Sequence, residues 1–176
     1  MERETVVNNA LEMAGIPTRI QSLWDGSPQA LIARDLWEHV RDASLAIRPW
    51  EFARDYAALT ESELGPIHTW LYRWVRPTQA ITILDVYSST TSQYIVTPFR
   101  WVETYNIDYG RDIFTDFDAA RASMTRRVLD VADWSPEFTA VMIAGLAERF
   151  VQVFGEHNGA DARGRGEQRP RRDGVS

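Results

Sequence analysis

Apolar residues recur at helical spacing in three stretches of the chain. Val7, Ala10, Leu11 and Ala14 follow an i, i+3, i+4, i+7 rhythm, which predicts an amphipathic helix over about 3–14. Gly15 stands where a helix ends in left-handed geometry, and Ile16-Pro17 prevents its continuation. Asp25-Gly26-Ser27-Pro28 supplies a turn, a cap residue and a first-turn proline, so a second helix starts at Pro28 and runs to about 47. Leu36, Val40, Ala43 and Ile47 give it one apolar stripe, with Ala33 and Trp37 beside it. It would be about 30 Å long. Trp134-Ser135-Pro136-Glu137 repeats the cap-and-proline start, and Phe138, Met142, Leu146 and Phe150 or Val153 carry a third helix to about 154.

The second helix meets a barrier in "IRPWEFARDYAAL", residues Ile47 to Leu59. Pro49 pushes the residue before it toward extended geometry and its ring clashes with the preceding turn, so the helix stops there. Trp50, Phe52 and Tyr56 then pin the turned segment against the helices, with Arg54 and Asp55 near an edge. Residues 59–76 show no assignable period. After Pro77 the rhythm changes to that of strands: Ala80 to Tyr87 and Tyr94 to Glu103 are rich in β-branched residues, and the polar Ser88, Ser89, Thr90, Thr91 and Ser92 lie between. The two runs predict a hairpin with a polar tip, its second strand at an edge or bulged at Pro98. Gly110 to Asp116 and Ala122 to Asp130 add one or two strands, so the β region spans about 79–130. The expected fold is α+β but mainly α: a bundle of long helices with a small antiparallel β region, in one domain over residues 1–154.

Composition changes this picture at one end. The last 22 residues hold five glycines and five arginines, Arg163, Arg165, Arg169, Arg171 and Arg172, with almost no apolar side chains. Nothing there can build a core, which predicts an extended, flexible C-terminal arm over 155–176. The arm carries five arginines against four acids, and the body 14 against 21. An acidic body with net charge −6 for the chain argues against a protein whose whole surface grips nucleic acid. There is no cysteine and no lysine. Disulfides, thiolate metal sites, Schiff-base chemistry and a phosphate-loop lysine are thereby excluded. No signal-peptide pattern opens the chain, and no run reaches the roughly 20 apolar residues of a membrane span, which predicts a soluble, cytosolic product.

Little in the sequence points to catalysis. His39, His68 and His157 are far apart and none has helical metal-pair spacing; glycine-rich phosphate loops, nucleophile elbows and EF-hand loops are absent. Asp130 and Asp133 read as capping or solvated acids. No catalytic, cofactor or metal site is assigned. The seven tryptophans are many for this length. Trp37, Trp50 and Trp134 read as core fillers, with subunit contacts and stacking on single-stranded nucleic acid as alternatives.

The ordered set of "NNALEMAGIPTRIQSL", a long helix ending in "IRPWEFARDYAAL", "WLYRWVRP", a β region and "DWSPEFTAVMIAGLAERF" resembles the head-to-tail adaptor, or tail tubular protein A, family of tailed bacteriophages. Asn9, Ala10, Leu11, Gly15, Pro49, Trp50, Phe52, Ala53, Arg54, Tyr72, Pro77, Phe138 and Leu146 occupy the family's places, over about residues 6–154. Pro49, Trp50, Phe52 and Arg54 form its most specific stretch, as a structural motif. The resemblance implies a non-enzymatic virion protein that forms a ring with itself, usually of twelve copies, between the portal protein and the tail nozzle or tail tube. Genomic DNA would pass through the lumen without specific binding, which an acidic wall suits. Its place would be the head–tail interface of the virion, reached from the host cytoplasm during assembly. The arm arginines 163, 165, 169, 171 and 172 are then expected to meet the portal, and Ser88 to Ser92 to form a docking loop for the next tail protein. Two other readings stand beside this one. The first is a small nucleic-acid or regulatory binding module using the arginine-rich tail; the second is an enzyme assembled from distant residues.

Overall fold

A computed structural model describes residues 2–88, 100–106 and 110–164. Three α-helices and seven β-strands are seen among them: α1 (Arg3–Met13), α2 (Pro28–Ala46), β1 (Arg54–Ala58), β2 (Thr60–Glu61), β3 (Tyr72–Val75), β4 (Ala80–Ser88), β5 (Trp101–Asn106), β6 (Gly110–Thr115), β7 (Ala120–Arg126) and α3 (Pro136–Gly164). The chain divides into two compact units. One joins the residues up to Arg41 with those from Pro136, and the other runs from Asp42 to Ser135. The continuous helix α2 contributes to both.

The helical unit follows the apolar rhythm. α1 packs on α3. Val6, Val7, Ala10 and Leu11 of α1 are buried without remainder, as are Phe138, Met142, Leu146 and Phe150 at every fourth position of α3. In α2 the inner stripe is Ala30, Ala33, Trp37 and Val40 rather than the expected Leu36, Val40, Ala43 and Ile47, for Leu36 is half-buried and Ala43 and Ile47 are exposed. Over Pro136–Gly155, α3 is long and apolar enough to span a membrane by length and composition, contrary to expectation, but its fully buried row belongs to this core. The helix continues to Gly164, past the expected end near 154.

The second unit corrects the expected bundle. Strands begin at Arg54 and fill the residues to Arg126, in two antiparallel sheets of order β1-β7-β4 and β2-β3-β6-β5. The fold is therefore two sheets with three helices, not long helices with a minor β region. The cause lies beyond Pro49: Ala57, Leu59, Tyr72 and Trp74 offer apolar groups at strand rather than helix spacing, and all four pack into the cluster of Ile83, Val86, Ile113, Ala122 and Met124. Residues of both sheets contribute to that one cluster.

The described strands that flank the predicted hairpin enter different sheets. β4 pairs with β7 through Ile83↔Met124 and Val86↔Ala122, whereas β5 pairs with β6 through Val102↔Phe114 and Glu103↔Ile113. Residues 89–99, the tip and most of the second run with Pro98, lie outside the described residues. Strand patterning specifies which face is apolar and leaves the partner open.

Two arginines hold the sheets at points where apolar packing could not. Arg73 on β3 faces Phe114 on β6 and donates from Nε to Asp112 Oδ2 at 2.7 Å, with a second short bond from Nη2 to the same oxygen. Its guanidinium carbon lies 5.6 Å from the centre of the Phe114 ring. Arg76, just past β3, donates from Nε to Glu103 Oε1 at 2.6 Å and from its two terminal nitrogens to the carbonyls of Ala80 (2.6 Å) and Ile81 (2.9 Å). One side chain thus ties the entry of β4 in one sheet to β5 in the other.

Candidate interaction surface

The stretch that stopped the helix forms a built corner. Trp50 is buried, and its indole N–H donates to the Ser44 carbonyl in the last turn of α2 at 3.0 Å. Ala53 is fully buried and closes a short 3-10 turn, with its N–H donating to the Trp50 carbonyl at 3.1 Å. Phe52 lies tilted against Trp50 with ring centres 6.2 Å apart. Arg54 starts β1, an edge strand, and pairs with Glu51 at 3.4 Å. Tyr56 departs from its expected role, because it stands 53% exposed on that edge strand instead of pinning it.

The other expected sites are less well covered. Ser88 is the last residue of β4 and is buried, which is not the position of an exposed loop tip. Ser89, Thr90, Thr91 and Ser92 lie outside the described residues. Arg163 falls within α3, but nothing is described of its side chain; Arg165, Arg169, Arg171 and Arg172 lie outside the described residues. Trp37 and Trp134, like Trp50, are buried. Among the described residues no group of three or more His, Asp or Glu side chains is placed to hold a metal ion.

The surface feature missed by sequence reasoning is the loop between α1 and α2. Its entry is fixed by Asn8 on α1, whose side chain donates to the Ile20 carbonyl (3.0 Å) and accepts from the Ile20 N–H (2.9 Å). Ile20 and Leu23 are buried beneath it. Its exit is fixed by Asp25, which accepts from Ser27 Oγ (2.6 Å), the Ser27 N–H (2.9 Å) and the Gln21 N–H (3.0 Å). These donors, the Ser27 hydroxyl first and then the two amides, hold the Asp25 carboxyl down at about 2. Ser27 in turn caps α2 by accepting from the Ala30 N–H at 3.2 Å. Gly26 supplies the left-handed turn with φ +77°.

This braced loop presents Trp24. Of the seven tryptophans it is the most exposed, at 76%, and the Arg34 guanidinium sits 4.7 Å from its ring centre. Leu31, one turn before Arg34 on α2, is also exposed. At the start of the same loop an open cleft of about 320 Å³ is lined by Asn8, Glu12, Gly15, Ile16, Pro17 and Arg19. Glu12 and Arg19 form an exposed ion pair at 3.1 Å on its wall. Trp and Arg are the side chains most enriched at the energetic centres of protein interfaces. The cue in the sequence was the position of Trp24 in a polar turn rather than on an apolar stripe.

No family model and no curated protein matches the chain.

Proposed function

We propose that the chain is a structural adaptor subunit at the head-to-tail junction of a tailed bacteriophage, assembling as a ring between the portal and the next tail protein. The observation that carries the reading is the "PWEFAR" stretch at its place in an ordered set of motifs, from the asparagine-alanine-leucine start to "DWSPEF". That stretch is a corner between a helix and a sheet, with Trp50 and Ala53 buried and the Trp50 indole hydrogen-bonded to Ser44, a structural task and not a chemical one. An interface-type tryptophan on a braced loop, with an arginine of α2 against it, suits a protein that works by contact. The acidic balance suits a lumen through which DNA slides without adhering. The arginines of the C-terminal segment, 163 to 172, are the complementary charge for an acidic portal surface.

The deciding experiment mixes the protein with its portal and measures the mass of the product by native mass spectrometry. A ring of adaptor copies on the portal supports the reading. A persistent monomer with affinity for duplex DNA that falls steeply with salt would replace it with a nucleic-acid-binding module. Deleting residues 156–176 should weaken portal docking and remove from the circular dichroism only the helical signal of 156–164, while the buried row of α3 and both sheets stay folded.

A further inference from the structure

We propose that Trp24 and the cleft beside Gly15 are the two halves of a head-to-tail contact between copies of this chain. The proposal rests on the adaptor reading and deepens it by naming the residues through which one copy would hold the next.

Three observations lead there. The first is cost. Trp24 keeps most of its ring in water although Ile20 and Leu23 in the same loop are buried, so the loop has an inward and an outward set of side chains. Burying an aromatic of this kind removes about 150–250 Å² from water. The hydrogen bonds of Asn8, Asp25 and Ser27 already fix the backbone on both sides of it, so little conformational freedom remains to be lost on docking.

The second is the presence of a receptor. At about 320 Å³ the cleft is at the small end of pockets that take compact ligands, which begin near 300 Å³, and it has room for one large side chain. Gly15 forms part of its lining with φ +73°, and a Cβ there would meet nothing within 4 Å, so the cleft is unfilled at that point. Ile16 and Pro17 supply apolar walls for a ring.

The third is charge. The knob arrives with Arg34 against it, and the cleft wall carries Glu12 with 71% of its side chain exposed. The Glu12–Arg19 pair is an exposed one of small net worth, so Glu12 can accept Arg34 of a second copy without breaking a strong bond. Knob and cleft are made of different residues, and a mutual twofold exchange of the two would stop at a dimer. The contact proposed is the heterologous one, which repeats from copy to copy and closes into a ring when the rotation per subunit permits.

The test uses the full chain and two surface variants. Trp24→Ala removes the knob and Glu12→Arg repels Arg34 at the cleft. Sedimentation equilibrium should show concentration-dependent association of the unaltered protein and at least tenfold weaker association of each variant. An equal mixture of the two variants should form dimers and nothing larger, because one intact knob meets one intact cleft. Unaltered association of either variant, a monomeric parent protein at all concentrations, or a mixture that stays monomeric would overturn the contact. If Trp24→Ala melts early, Glu12→Arg with its exposed side chain carries the measurement. Rings that form on the portal equally well with Trp24→Ala would remove this contact and keep the adaptor reading. Association that depends on Trp24 but never yields rings on the portal would keep the contact and remove the adaptor.

Discussion

The guanidinium of Arg48 lies 3.9 Å from the centre of the Trp50 ring, so the two residues flanking Pro49 clasp each other around the break in the helix. Trp50 is thereby covered from the solvent side by a cation and held from the helix side by the Ser44 carbonyl. Trp50→Ala should cost about 3–5 kcal/mol, the range for a buried aromatic, as read from urea unfolding. Trp50→Phe keeps much of the volume and removes the indole donor from the Ser44 carbonyl, which retains the Ile47 N–H at 3.4 Å, so it should lose about 1 kcal/mol. Equal losses for the two variants would show that the hydrogen bond, not the packing, matters at this corner.

Asp112→Ala should destabilise the sheet unit by about 3–5 kcal/mol, because it removes the carboxylate to which the buried Arg73 guanidinium donates twice. Replacing both residues by apolar ones of similar size should recover most of that loss. Chemical denaturation of the two single variants and the double variant checks this. A double variant as weak as the singles would mean that the pair carries net stability of its own.

At Arg76 the comparison of interest is with lysine. Arg76→Ala should cost about 2 kcal/mol or more by stranding the acceptors at Ala80, Ile81 and Glu103. Arg76→Lys should recover only part, since an ammonium cannot reproduce the planar fork. Thermal melting of the two variants gives the ranking, and full recovery by lysine would show that charge alone suffices.

Asp25 should titrate at about 2, well below its unfolded value of 3.8. Its folded-state pKa is depressed, so the stabilisation is present above about 4 and is lost as pH falls through about 2. Side-chain carboxyl shifts followed by NMR during acid titration measure it directly. Asp25→Asn should loosen the Trp24 loop, seen as faster amide exchange at Gln21 and Ser27, while leaving α1 and α3 protected.

The three helices were legible because their signals are local. Ser27-Pro28 and Ser135-Pro136 mark starts, Gly15 and Pro49 mark stops, and the apolar stripes read for α1 and α3 are the ones found buried, whereas in α2 the buried stripe runs through Ala33 and Trp37 and leaves Ala43 and Ile47 exposed. β6 and β7 were legible for the same reason. β1 and β3 were not. Arg54–Ala58 has no β-branched residue, and Arg73 hides a buried charge inside "YRWV", so neither reads as half-buried strand. The pairings were beyond local reading altogether, since Tyr72↔Thr115 and Arg54↔Thr125 join distant residues. Tryptophan itself does not announce its side: Trp37 and Trp134 went inside, while Trp24 stayed out because the Asp25 and Ser22 bonds fix its backbone in a turn.

The order of pairing also sets a timetable for synthesis. Among the described residues β1 pairs with β7, about 70 residues later in the chain, and α1 packs most extensively on α3. A chain leaving the ribosome at about 5–20 residues per second therefore spends on the order of ten seconds with Val6, Leu11 and Leu59 uncovered before either unit can shut. A nascent chain that ends before Arg126 can complete neither unit, so early termination products have no folded refuge and are exposed to proteolysis.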